Sequence, residues 1–100
     1  MQDWTPDTLK TELDAGSTVF LKLYKPGCGI CELSRSATDR LEAKNHDVHF
    51  GAIDVEAHPE MLELAKTDVL PVFFVFREHK MKGKVIGFKG QRTLEDLLGE

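Results

Sequence analysis

Two stretches, Val19-Phe-Leu-Lys-Leu-Tyr24 and Val72-Phe-Phe-Val-Phe76, are apolar on both alternating sets of side chains, with Lys22 the one interruption. A strand written this way offers no face to water and must lie between two covering layers. That requirement points to a sheet with helices on both sides. The segments between the strands fit it. Thr5 to Gly16 places Thr at a helix N-cap, Pro at the first helical position and Gly just past the end. Beyond Tyr24, Ile30, Leu33, Ala37 and Leu41 recur at helical spacing among charged residues, which predicts one amphipathic helix of roughly four turns. Val48 to Asp54 reads as a second strand and His58 to Lys66 as a helix with Pro59 at its first position, so strand, helix and strand form a parallel βαβ unit.

The second half reads as a hairpin and a closing helix. Val72 to Phe76 is its buried strand, Lys82-Gly-Lys84 part of its turn and Lys84 to Phe88 its partner strand. Thr93 to Leu98 has Thr as N-cap and leucines on one face. No repeat, low-complexity tract or linker interrupts the order helix, βαβ, helix, ββ, helix, so residues 1–100 are expected to form one α/β domain. Phe73, Phe74 and Phe76 belong to the core, and Trp4 packs the first helix onto the sheet.

A chain of 100 residues can bury a sufficient core without metals or staples, so its two cysteines are not needed merely for folding. A formal charge of −4, spread along the chain, argues against a nucleic-acid or anionic-membrane surface. The first residues show no secretory pattern, and no apolar run approaches the ~18 residues of a membrane helix. The expectation is a soluble, cytoplasmic monomer, in a compartment that disfavours permanent structural disulfides.

The two cysteines stand three positions apart in Lys25-Pro-Gly-Cys-Gly-Ile-Cys-Glu32, between a strand and a helix. A Cys-x-x-Cys pair beside a βαβ unit is a signature of dithiol chemistry. At the helix N-terminus, backbone N–H groups and the helix dipole favour thiolate at Cys28, which makes it the nucleophile. Cys31, one turn further in, is then the buried resolving thiol. Two other readings stay open. A zinc site would need ligands from His46, His49, His58, His79 or carboxylates, or from a second chain, and two inert thiols would need no partner at all. Gly27 and Gly29, on either side of Cys28, open the backbone there and weigh against the inert reading.

Over nearly its whole length the chain resembles the thioredoxin family. The resemblance is carried by Val19 to Tyr24 running into Cys28-Gly-Ile-Cys31, by Ile53-Asp-Val-Glu-Ala-His-Pro59, by Val69-Leu-Pro-Val-Phe73, and by Gly83-Lys-Val85 followed by Gly90. It implies a thioredoxin-like fold with a central four-stranded mixed sheet flanked by helices, and a disulfide oxidoreductase activity. It also implies a cis bond before Pro71, which would face the two sulfurs, with Leu70 presenting backbone to an extended substrate segment. The residues themselves say only that proline suits the first position of a strand.

Three positions depart from the family pattern: Gly27 replaces an aromatic residue, Ile30 a proline, and Lys22 a buried acid. A charged lysine in a doubly covered strand needs either a snorkelling stem or a partner, for which Asp54 is the candidate, and near the site it would favour thiolate at Cys31. Lys25 reads as a solvated lysine beside a turn, with help to the Cys28 thiolate as the alternative.

The expected function is reduction of protein or small-molecule disulfides through a Cys28–Cys31 dithiol/disulfide cycle, with no bound cofactor, and with a thioredoxin-reductase-like enzyme or a low-molecular-weight thiol restoring the dithiol. The alternatives are a glutaredoxin-like reductase served by such a thiol and a non-enzymatic metal- or partner-binding module.

Overall fold

The computed structural model describes residues 1–99, leaving Glu100 outside it. Its elements in chain order are β1 (Gln2–Asp3), α1 (Pro6–Asp14), β2 (Val19–Tyr24), α2 (Gly29–Leu33), α3 (Arg35–Lys44), β3 (His49–Asp54), α4 (Met61–Ala65), β4 (Val72–Arg77), β5 (Lys80–Ile86) and α5 (Gln91–Leu98). The sheet runs β1-β3-β2-β4-β5. β1, β3 and β2 are parallel; β4 is antiparallel to β2, and β5 to β4.

β2 lies in the middle, and the pleat sorts its residues between two cores. Val19, Leu21 and Leu23 join Val72, Phe74 and Phe76 under α1 and α4, with Leu9, Met61 and Ala65. Phe20 joins Phe73 and Val75 on the other face, under α3 and α5, with Leu41, Leu94 and Leu98. The Phe20 ring stacks on Phe50 at 5.0 Å and leans on Phe73 at 5.9 Å. Thr5 caps α1 as expected, its hydroxyl accepting from the Thr8 amide, with Pro6 following.

The mixed sheet has five strands where four were expected. β1 is two exposed residues long, too short to leave an alternating pattern, and it pairs with Gly51 and Ala52. The next residue, Trp4, explains why it is there. The Trp4 amide donates to the Ala52 carbonyl, and its buried ring lies over Gly51, where a Cβ would come within 1.9 Å of the ring. Glycine in mid-strand here makes room for an indole.

The hairpin turn lies at Glu78 and His79, both with positive φ, and not at Lys82 to Lys84, which are inside β5. Two left-handed residues suit the twist of a tight hairpin. The misreading came from Gly83, which is a strand residue: a Cβ on it would meet Leu97 of α5 at 2.7 Å. A register shift between Val75 and Phe76 absorbs the extra residue. The helices also begin elsewhere than expected. α4 starts at Met61, with Pro59 in the turn before it, and α5 starts after Gly90, with the Thr93 hydroxyl donating back to the Lys89 carbonyl.

The single helix expected after the cysteines is two, broken at Ser34. The buried stripe runs through Cys31, Ser34, Ala37, Thr38 and Leu41, while Ile30 and Leu33 are 49% and 65% exposed. The helical spacing was present, but its buried residues at the start are a thiol and a hydroxyl.

Because the indole occupies the space of a Gly51 side chain, Gly51→Ala should destabilise the fold by ~1–3 kcal/mol in urea unfolding. Its cost should shrink markedly in a Trp4→Ala background. Additive losses in the four-protein cycle would show that the ring does not rest on this glycine.

Candidate active site

β2 ends at Tyr24, and Lys25, Pro26 and Gly27 carry the chain to Cys28. Gly27 has φ +76 with nothing within 4 Å of where a Cβ would stand, so the glycine is required by conformation and not by crowding. The Cys28 amide donates to the Lys25 carbonyl at 3.4 Å, which closes the turn. Cys28 is the N-cap of α2: its backbone is extended, and its Sγ accepts from the Cys31 amide at 3.2 Å. Cys28 is half-buried, Cys31 only 3% exposed, and both are free thiols.

This placement separates the two sulfurs chemically. Burial pushes the Cys28 thiol up, but hydrogen bonds from the Cys31 side chain and the backbone of Cys31 and Ile30, with the Lys25 charge, outweigh it and leave the thiol below its ordinary value. Lys25 is exposed beside the turn, as a solvated lysine would be, and its charge still reaches Cys28. Burial pushes Cys31 the other way, reinforced by the hydrogen bond to Cys28, up to about 11. The outer sulfur is the easier thiolate, and the inner one holds its proton.

Lys22 neither snorkels nor pairs with Asp54. It is 8% exposed, and its ammonium donates to the Cys31 carbonyl at 2.9 Å. Register explains the missing pair: Lys22 lies opposite Ala52, while Asp54 is level with Tyr24 and accepts from the Glu56 amide at 2.8 Å. The Ser34 hydroxyl donates to the same Cys31 carbonyl at 2.7 Å. The break between α2 and α3 is therefore held by two side chains converging on one backbone oxygen.

Pro71 is buried, and the Leu70–Pro71 bond is cis. Since Leu23 pairs with Val72, Pro71 stands level with Tyr24, at the end of β2 that leads into the cysteine loop. The Pro71 carbonyl accepts from Gly87 at 2.7 Å. Leu70 is half-buried against the α1/α4 core, and Val69 before it is 53% exposed. Gly29, like Ile30, is exposed.

Behind Cys31 lies a cavity of about 440 Å³ that sequence reasoning did not find. Lys22, Cys31 and Arg35 line it with Asp3 and Tyr24, whose hydroxyl donates to the Asp3 carboxylate at 2.9 Å. Asp3 belongs to the unforeseen β1, so no sequence signal connected it to the site. Ser34 could have been found, because it stands three residues after Cys31 on a buried stripe. Among the described residues no three His, Cys, Asp or Glu side chains are grouped to hold a metal ion. His49 is instead joined to Glu12 at 2.7 Å, His58 to Glu60 at 3.5 Å and His79 to the Leu13 carbonyl at 2.6 Å, while His46 is exposed. No helix is long and apolar enough to cross a membrane.

A mixed sheet covered on both faces, with a half-buried thiol capping a helix at the end of its central strand and a buried second thiol one turn inside, defines a dithiol site on a thioredoxin-like scaffold. The family model described as Thioredoxin matches residues 1–100, and the chain belongs to this family of thiol-disulfide oxidoreductases. Thioredoxin of Chlamydia caviae is 24% identical over 86% of the chain and 84% of that protein. Protein disulfide-isomerase of Drosophila melanogaster is 30% identical over 97% of the chain, which spans 21% of that larger protein. Oxidised mitochondrial thioredoxin 3 of Saccharomyces cerevisiae superposes with a TM-score of 0.86 at 21% identity, over 96% of this chain and 91% of that one.

Alkylation with iodoacetamide should separate the two thiols. Thiolate grows as pH rises through each pKa, so Cys28 should react at neutral pH with an inflection below the ordinary thiol value, and Cys31 only as pH approaches about 11. Peptide mapping that finds both cysteines equally labelled at neutral pH would contradict this asymmetry.

Proposed function

We propose that the chain reduces disulfides in proteins or small molecules by a two-step exchange. The Cys28 thiolate attacks one sulfur of the substrate disulfide, forming a mixed disulfide and releasing the other sulfur as thiolate, which takes up a proton. Cys31 loses its proton and attacks Cys28 Sγ. A Cys28–Cys31 disulfide forms, and the substrate's second sulfur leaves reduced. Two electrons have passed from the chain to the substrate, and an external reductant returns them. That donor is a thioredoxin-reductase-like enzyme or a low-molecular-weight thiol; no further cofactor takes part. The chain acts as a monomer in the cytoplasm.

The observation that carries this reading is the inequality of the sulfurs: Cys28 half-buried with its thiol held low, Cys31 buried with its thiol pushed up to about 11. An attacking group must reach substrate as thiolate, whereas a resolving group needs only to reach its neighbour. Around the site, Ile30, Leu33 and Val69 expose apolar surface, and Leu70 precedes the cis proline, which supports an extended segment of substrate backbone lying there.

Insulin disulfide reduction with dithiothreitol as donor tests the cycle. Wild type should accelerate it, Cys28→Ser should abolish the acceleration, and Cys31→Ser should accumulate mixed disulfides through Cys28. Absence of turnover in wild type, or trapping through Cys31 in the Cys28→Ser variant but not the reverse, would overturn the reading or its order of roles. Substituting reduced glutathione, or a reductase with NADPH, for dithiothreitol identifies the donor class.

A further inference from the structure

Lys22 sits in the middle of the central strand with neighbours that cannot answer its charge, Ala52 on one side and Phe73 on the other. It shares a sheet face with Phe20 and is 8% exposed. The Cys31 carbonyl takes one of its three N–H donors, and among the described residues no carboxylate lies within ion-pair distance of it. A buried ammonium without an anion is costly, so an anion that forms beside it is favoured.

The group that becomes negative is at hand. Lys22 and Cys31 line the same cavity, and Lys22 is already bonded to the Cys31 backbone. Of the cavity's acids, Asp3 accepts from Tyr24 and Glu32 from Arg35 at 3.2 Å, while Asp39 also lines the wall; the Glu32 charge still reaches Lys22, and that of Arg35 opposes it. Lys25 and Cys28 face Cys31 from the loop and the start of α2, and the Lys25 charge acts on Cys28. Burial lowers the proton affinity of Lys22, and the charge of Cys31 is the strongest influence against that. The pairing is reciprocal, since Lys22 pulls the Cys31 thiol down against its burial.

We propose that Lys22 is a positioning residue for the resolving step: tethered to the Cys31 carbonyl in the wall of the cavity, its ammonium stabilises the Cys31 thiolate by standing charge, with no proton acceptor of its own. The inference rests on the exchange cycle above for its functional meaning, not for its physical content. During resolution the Cys31 proton leaves for solvent through the cavity. The thiolate then forms the S–S bond to Cys28 as the substrate sulfur departs with the electron pair of the bond that breaks.

Reaction of the reduced protein with the aromatic disulfide of 5-thio-2-nitrobenzoate reads the step directly. Cys28 attack releases a first coloured thiolate and Cys31 resolution a second. In Lys22→Met the second release should slow about tenfold at neutral pH, with its pH profile displaced about one unit upward. Lys22→Arg should restore most of the rate. The Cβ resonance of Cys31, titrated by NMR in a Cys28→Ser background, should show the same displacement without any turnover. An unchanged second phase and an unchanged Cys31 titration in folded Lys22→Met would reduce Lys22 to a structural tether.

Should Lys22→Met fail to fold, NMR titration of the Lys22 ammonium in wild type decides. Loss of its charge by neutral pH, where the second release is read, would overturn the proposal, and a charge retained through neutral pH supports it. A wild type that releases no second thiolate would sink the exchange reading, while the Cys31 titration would still report on Lys22.

Discussion

The double burial of β2 is the constraint from which the site follows. A strand covered on both faces must end where the helical layers end, and its continuation has to turn sharply to re-enter one of those layers as a helix. The turn from Tyr24 to Cys28 does this at Gly27, in a backbone conformation that disfavours a side chain. The first residue able to cap the new helix is a cysteine, so the amide that a Ser or Asp would ordinarily satisfy is satisfied by sulfur. The lowered proton affinity of Cys28 is thus in part a helix-capping interaction made by an ionisable atom. The same covering that buries β2 places Cys31 inside, and there desolvation, not a specific partner, is the largest influence on its proton.

That covering would be unbroken hydrocarbon were it not for the junction at the Cys31 carbonyl. Lys22 from the sheet and Ser34 from the helix break meet on one oxygen, which ties β2 to the point where α2 hands over to α3. The helix break redirects the chain so that Ala37 and Leu41 pack on the sheet while Ile30 and Leu33 stay out beside Cys28. A continuous helix in the phase of Ile30 and Leu33 would have buried those residues and turned the thiols toward water. The polar junction therefore sets both the burial of the inner sulfur and the apolar surface around the outer one.

Most of this was legible wherever a residue's type and its environment agreed. Thr5-Pro6, the doubly apolar strands and the Cys-x-x-Cys spacing each state their own local physics, and the architecture follows from their order. Legibility failed where a residue answered to something distant in sequence. Gly83 reads as a turn but is a strand residue cleared for Leu97, and Gly51 is cleared for Trp4. Leu33 has the right spacing for a core position, yet the break at Ser34 turns it outward. Lys22 was recognised as out of place, but its partner could not be named, because a backbone carbonyl has no signature in a sequence. The cis bond before Pro71 came from resemblance alone.

The misplaced charge then has a physical reason to stay. An ammonium in that strand cannot be repaid by packing, and a neutral side chain of similar length would fill the same volume with less desolvation. It ties down the Cys31 carbonyl, and it stands beside a thiol whose proton is held by burial, where its charge can act on that thiol. A carboxylate in the same place could take the proton from the inner thiol, becoming neutral as it does so, and for as long as it stays ionised it would hold that thiol's pKa up. A cation cannot take the proton, but it favours the thiolate throughout the step. The two solutions therefore differ in the sign of the charge that faces the thiol before the step, and hence in the direction in which loss of the side chain moves the Cys31 proton.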